Sequence, residues 1–546
     1  MKKTFTLLTL FLFINLFSQT IGPITITQGS EIKDDKQKIV KIAGEAHGKI
    51  YTLAFKNKKV YIKVFSNDMK LLSTNLIERE KLKSKNKKII FEDIIILDNN
   101  IYVFGSIYDK KAKQLKLFAF PVNEKGIVSA NKIEILSASV PKRTQKGAYY
   151  FKKSPNRDKL LILHATLVKK EDLIKYEIKL IDSDLKNVFS TIEEVPFEDR
   201  RGLEFTISDF DLNFNDDVFL VINESYRDRK AKMNIEKLYL HSYKGKNSYK
   251  KELLNIDIDG KEIVNCELLA TNKGIIHLAG LYSSVKKSGR ANRKLKGAYS
   301  ASINSDENSF NKITFTPFDF DTKVQLIGKR RAKKDKDVPP YYFTHSLIEK
   351  EDGGIILMSE YSIRYVGATS GFGPLGMTPI TIINDQIIVT SFNPDGTIKW
   401  TNVVPKKQKA SYEILSLNIF GFAGNANFSV GVGFSLKLGT FGKGPEYLSV
   451  IPIYKNGKLT VIYNDNPKNS GIMDMDDIKK MTHYNKSLPT ILTFDESGNT
   501  TRVDQTEYVK EQLILRPRVF YRRSNNEYII YSSKMKNDKL GILTIK

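Results

Sequence analysis

Cysteine and tryptophan occur once each in the 546 residues, as Cys266 and Trp400, and histidine occurs six times. One thiol excludes an internal disulfide framework, and no Cys/His spacing suits zinc. Cys266 lies in the apolar run Ile263-Val-Asn-Cys-Glu-Leu-Leu-Ala270, where a free cysteine acts as a small hydrophobe. The histidines show no metal or triad spacing, and His164 and His277, inside apolar runs, are expected to be hydrogen-bonded core residues. No metal and no cofactor is called for.

Acidic residues are also scarce, 61 against 87 lysines and arginines, for a formal charge of +26. Such a field favours polyanions, or else reflects lysine spread over solvated faces. Long apolar runs are missing as well. The only candidate, Phe5 to Phe17, has 13 residues where a bilayer span needs about 20. Lys2 and Lys3 precede it, the form of a secretory signal, with cleavage expected after Ser18 or Gln19. No cysteine follows the run, which excludes a lipoprotein anchor. The expectation is a signal over 1–19 and a single domain over 20–546. That domain would be exported and soluble in the periplasm or outside the cell, with no transmembrane segment, where nucleic acid is not an expected partner.

What the chain has in abundance is short alternating runs, the pattern of half-buried strands. Lys49-Ile-Tyr-Thr-Leu-Ala-Phe55 and Lys59-Val-Tyr-Ile-Lys-Val-Phe65 form a clear pair. The strongest hairpin signal is Asn393-Pro-Asp-Gly396 between two β-branched runs, where proline presets φ, aspartate caps the turn and glycine takes the positive φ. Similar tips recur at Asn67-Asp68, Asn123-Glu124, Ser183-Asp184, Tyr243-Lys244, Ser305-Asp306, Pro394-Asp395 and Glu496-Ser497. Their spacings are 56, 60, 60, 62, 89 and 102 residues, one unit repeated with late insertions. A second mark, an aromatic and a polar residue closing a strand, recurs at Tyr108, Tyr226, Tyr282, Tyr361, Tyr463 and Tyr531.

Each unit therefore reads as four strands, and the fold class as all-β: a β-propeller of four-stranded antiparallel blades. Eight blades are favoured, with seven as the alternative. The last unit, from Leu513, is one strand short, and Pro23-Ile-Thr-Ile-Thr27 is expected to complete it and hide two sheet edges. On these repeats the chain resembles the secreted β-propeller-like proteins of Gram-negative bacteria, a resemblance of architecture that implies no particular activity. The WD and kelch signatures are missing. Asn393-Pro-Asp-Gly-Thr-Ile-Lys-Trp400 fails the sialidase Asp-box, since glycine follows aspartate directly.

In such a blade the first-to-second and third-to-fourth turns share one face, and the second-to-third turns and blade crossings share the other. The long insertions, 227–236, 283–297, 319–340, 365–379, 406–446 and 464–488, all fall in the second class. Loops on a rigid scaffold concentrate binding residues. Their cations mark the candidate ligand-binding set as Arg227, Arg229, Lys286, Lys287, Arg290, Arg293, Lys329, Arg330 and Arg331. Tyr226, Tyr282 and Tyr361 join it as possible sugar platforms, although aromatics at one blade position more commonly fill the gap between sheets. The expected partner is an anionic glycan, an envelope polymer or a protein, with the oligomeric state open.

Other motifs carry less. Tyr365–Gly376 resembles a phosphate cradle only in its glycines and reads as a loop. Phe428–Leu438 alternates strictly and suits an extra strand over the face. Asp209–Asp217 reads as a strand with one polar face rather than a calcium loop. Asp474–Thr482, acids first and bases later, suits a short helix. Glu224 and Glu360, beside the repeated tyrosines, could pair as acid and base across a channel. The main reading is thus a non-enzymatic binding scaffold. A propeller enzyme acting on a polysaccharide and a structural envelope component are the alternatives.

Overall fold

The alternating runs do form strands, and in the computed structural model they assemble into eight successive antiparallel sheets. The structure describes residues 18–546 except 33–36, 58, 79, 81, 85–86, 141, 169–172, 197–202, 229, 308, 311–312, 369–376, 416–426, 431–443, 509–513 and 535–536. The expected signal segment up to residue 17 thus lies outside the described residues.

First strands of neighbouring blades contact one another, and that of blade 8 meets that of blade 1. In chain order they are Lys38–Ala46, Ile90–Leu97, Ala148–Lys153, Glu204–Leu212, the split pair Glu262–Ile263 and Glu267–Ala270, Tyr342–Glu349, Val450–Lys455 and Ile514–Arg522. Second strands are covered on both sides and read as continuous apolar runs, as in Val218–Asp228. Outermost strands alternate between exposed and half-buried positions, as in Asn187–Pro196, and carry the polar residues that blunt an open edge.

A distinct apolar core fills each of the eight seams between blades. One example joins blade 1 to blade 2 through Tyr51, Val64, Ile94 and Phe120. The eighth seam joins blade 8 back to blade 1, with Val519, Ile529 and Tyr531 packed on Ile39, Ile50 and Phe65. The ring therefore has eight blades. Its last sheet is completed by the strand Ile24–Gln28, which pairs antiparallel with Asn537–Ile545 in the register Ile24 to Ile545 and Ile26 to Leu543. Ser18–Ile21 adds a fifth, outer strand to that sheet.

All seven predicted tips are third-to-fourth strand turns. Their recurrence has a packing reason: five of them receive a bond from the blade before. Tyr51 Oη donates to Glu124 O at 3.0 Å, Tyr102 Oη to Ser183 O at 2.9 Å, and Lys246 pairs with Asp306 at 2.6 Å. Ser300 Oγ donates to Gly396 O at 2.8 Å, and Trp400 Nε1 to Glu496 O at 3.0 Å. In the Asn393–Gly396 turn, Gly396 adopts φ +87°, and Asp395 Oδ1 accepts from Thr397 N at 2.9 Å.

Blades 5 to 7 carry the elaborations. The 319–340 connection folds into two helices not foreseen from the sequence, Phe320–Ile327 and Lys329–Ala332, the first capped by Asp319 accepting from Thr322 N at 2.7 Å. The second and third strands of blade 6, Ile355–Val366 and Met377–Phe392, run past the sheet as a ribbon, and Gln408–Leu415 joins it as a third strand. Asn427–Val430 runs parallel to Glu204–Ile207 on the channel side of blade 4; the rest of the strand expected at Phe428–Leu438 lies outside the described residues. So does most of the Tyr365–Gly376 loop, whose first two residues end the blade 6 strand. The helix expected over Asp474–Thr482 does not form. Met475, Ile478 and Met481, three residues apart, are buried along irregular backbone, and Met481 bridges to Gln408, so packing of these side chains overrides the charge pattern.

Ile26 is 4 % exposed at the closing strand. Ile26→Ala is expected to cost about 2–5 kcal/mol, the price of a buried aliphatic side chain. A lowered denaturant midpoint for the whole ring would check it; an unchanged midpoint would mean that the ring does not depend on this strand.

Candidate functional site

The insertion-bearing face is built from loops that hold one another. Asn234 N, after the 230–232 turn of blade 4, donates to Gly289 O at 2.7 Å, and the Arg227 guanidinium donates to the same carbonyl. The blade 5 loop is joined in turn to the 319–340 connection. Leu295 and Val338 exchange backbone bonds, Asn292 Nδ2 donates to Asp337 at 2.8 Å, and Lys296 pairs with Asp337 at 2.7 Å. Helix Phe320–Ile327 rests on blade 6 through Leu326, with Gln386 bridging to Tyr342 Oη at 2.8 Å. Three charged segments separated in sequence thus form one continuous surface.

Its exposed cations are Lys286, Lys287, Arg290 and Lys294 on one segment and Lys329, Arg330 and Arg331 on the next, none in an ion pair with a described residue. Arg293 is different, since Glu204 takes it at 3.2 Å. Arg229 lies outside the described residues. Tyr226 is half-buried against the blade 3–4 core. Tyr282 is buried, its ring edge-on to Phe315 at 4.9 Å, so it fills a seam. Tyr361 is half-buried and meets Tyr341 and Tyr342 edge-on at 6.0 and 5.4 Å. The exposed rings on blade 6 are others: Tyr341 at 45 %, Phe343 at 56 % and Tyr365 at 54 %. No sequence signal distinguished them from ordinary strand alternation.

Beneath the surface at the blade 4–5 seam stands a group of carboxylates. Glu236 Oε1 accepts from Asn223 Nδ2 and Ile263 N, both at 2.8 Å. Burial, then the nearby charges of Glu262 and Glu204, pushes its carboxyl up to about 8. Glu262 accepts from Arg293 N at 3.0 Å.

A buried charge cluster anchors the other side. Lys406 Nζ, wholly buried, donates to Glu360 Oε1 at 2.9 Å, Asn384 O at 2.8 Å and Gln408 Oε1 at 3.2 Å. Glu360 Oε2 accepts from Asn384 Nδ2 at 2.8 Å, Ser449 Oγ at 2.9 Å and Arg518 at 3.5 Å. Burial alone would raise the Glu360 carboxyl, but Lys406 and Arg518 hold it down to about 2. Glu360 is therefore committed to a cationic cage. Glu224 lies on blade 4 and is buried, so the expected acid–base pairing of Glu224 with Glu360 is not formed. The partners of Glu360 lie 46 and 158 positions away, beyond any sequence pattern.

The core positions expected for His164, His277 and Cys266 are found. His164 Nε2 bonds Lys146 O at 2.8 Å and His277 Nδ1 bonds Ser302 Oγ at 3.1 Å, and burial lowers both to about 4. Cys266 is buried, which pushes its thiol up.

No protein-family model matches the sequence, and no curated protein matches it. Solved structures do resemble it in shape. The β-propeller domain of the Trilobed protease from Pyrococcus furiosus is 9% identical with a TM-score of 0.30, over 69% of this chain and 98% of that one. The polysaccharide lyase Uly1 is 8% identical with a TM-score of 0.34, over 86% and 95%. A post-proline cleaving enzyme from Rickettsia typhi is 11% identical with a TM-score of 0.35, over 92% of this chain and 58% of that one.

Replacing Glu360 by glutamine strands Lys406 and Arg518 without a countercharge, and the expected loss is about 3–5 kcal/mol. Because the folded carboxyl sits below its ordinary value of 4.5, its contribution is complete above pH 4.5 and lost as pH falls toward 2. An acid-unfolding series should lose steepness in that window for Glu360→Gln; parallel curves for variant and parent would contradict the assignment.

Proposed function

We propose that the insertion-bearing face binds a linear anionic polysaccharide or envelope polymer outside the cytoplasm. What supports this is the continuity of three interlocked segments, two of which carry the exposed cations Lys286, Lys287, Arg290, Lys294, Lys329, Arg330 and Arg331 with no described carboxylate partner. The propeller fold supplies the rigid support. Cations spread along such a surface match a regularly charged chain. Tyr341, Phe343 and Tyr365, exposed on blade 6, offer apolar faces to sugar rings.

The test is binding of an acidic polysaccharide, such as a polyuronate, to the full chain over a salt series. Affinity should fall roughly tenfold or more between low and physiological salt. The triple variant Lys287→Glu/Arg290→Glu/Arg330→Glu should lose affinity by a similar factor with unchanged thermal stability. Equal binding of a neutral polysaccharide, or no salt dependence, would overturn the reading. Capture of a protein in place of the polymer would favour the scaffold alternative.

One observation favours a catalytic variant at the same face. Glu236 keeps its proton up to about 8 beside the carboxylates of Glu204 and Glu262. Neighbouring carboxyl groups, one of them holding its proton, are the set that glycosidic cleavage uses. Chain shortening of the bound polymer that disappears in Glu236→Gln would establish that variant, and binding without shortening would leave the surface as a receptor.

A further inference from the structure

On the opposite face the axis ends in a cavity of about 170 Å³, where inner strands and turns of four blades meet: Gly44 and Glu45 of blade 1, Asp98 of blade 2, Lys153 and Arg157 of blade 3, and Tyr521 of blade 8. Arg157 crosses the mouth. Its guanidinium lies 5.1 Å from the centre of the Tyr521 ring, one amine donates to the Tyr521 hydroxyl, and the other donates to Arg522 O at 3.2 Å. Gly44, at φ +140°, a conformation that suits glycine, lies against the Tyr521 ring.

The charges around this cavity do not balance locally. Asp93 is taken by Lys41 at 2.6 Å, and Glu45 by Arg523 at 2.9 and 2.6 Å. Asp98 is exposed at the rim and pairs with no described cation. Arg157 bonds only neutral oxygens. Lys153 lines the cavity with no ion pair to any described residue, between Lys41 and Arg157. Burial first, then those two cations, lowers its ammonium to about 8. A cavity walled by an unpaired ammonium and a guanidinium is an arrangement that an anion completes.

We propose that this cavity binds one compact oxyanion, a phosphate, sulfate or carboxylate end group, between the Lys153 ammonium and the Arg157 guanidinium, with the Asn156 amide at its edge. It holds such a group and a small substituent but no polymer, and it is separate from the basic surface across the ring. Success or failure of one site therefore leaves the other unaffected.

Calorimetric titration of the full chain at pH 7 with inorganic phosphate, sulfate and acetate, in separate arms, tests it and identifies the preferred class. Saturable binding at one site per chain is expected. Lys153→Met should weaken it roughly tenfold or more, the worth of a charge-assisted hydrogen bond, while Lys153→Arg retains it. The triple charge reversal on the opposite face should leave it unchanged. Sulfate, whose own charge is constant, should bind more weakly as pH rises from 7 to 9. The charged and titratable groups that face Lys153 are Lys41, Asp93, Arg157, Glu45, Arg523, Asp98 and Tyr521, and burial pushes the Tyr521 hydroxyl up, away from that interval. Circular dichroism confirms the fold of each variant. Absence of saturable binding in all three arms, equal affinity in Lys153→Met, or loss in the opposite-face variant would overturn the proposal.

Discussion

The contact between Glu360 and Lys406 fixes where the longest excursion leaves the ring. Glu360 belongs to the second strand of blade 6, Lys406 to the crossing toward blade 7, Ser449 to the entry of blade 7 and Arg518 to the first strand of blade 8. Three blades and the base of the longest excursion thus share one carboxylate. Removing two charges from water is costly, and only complete hydrogen bonding offsets it. Here Lys406 finds three acceptors and Glu360 four donors. The geometry is therefore strict, and the excursion leaves the ring at a defined place.

A related device sits one blade further on. Arg502, nearly buried, spans Asp504 at 2.8 Å and Asp465 at 2.9 Å, and donates to Ile472 O at 2.9 Å within the 464–488 insertion. Asn469 adds bonds to Asp465 and to Lys479 O. The long loops of blades 6 and 7 are thus fastened by buried ions, whereas those of blades 4 and 5 are fastened by backbone pairing, amides and the more exposed ion pairs Lys296–Asp337 and Arg293–Glu204. The first kind fixes position by charge; the second leaves Lys286, Lys287, Arg290 and Lys294 exposed at the surface.

Much of this ring was legible in the residues. The tips were visible because a turn obeys local rules, and their spacing followed the blades because five of the seven are bonded by the blade before. The missing strand of the last unit was visible as a deficit in one sheet matched by a surplus at Ile24–Gln28. The facing of the insertions followed from strand order alone. What lay beyond reach depended on distance. The fate of Glu360 was decided by Arg518, the burial of Tyr282 by Phe315, and the pairing of Arg293 by Glu204, each remote or set by packing. Charge pattern also misled at Asp474–Thr482, where the burial of Met475 and Met481 outweighed a favourable helix dipole.

The pairing of Ile24–Gln28 with Asn537–Ile545 has a kinetic side. Loop-closure entropy rises slowly with length, but a contact spanning almost the whole chain still cannot form until the final blade exists. Until then two sheet margins stay open, each a template for a neighbouring molecule. A polypeptide made in this order emerges with one half of its clasp already exposed and waits for the other. Helpers that shield nascent strands would matter most for this chain during that interval.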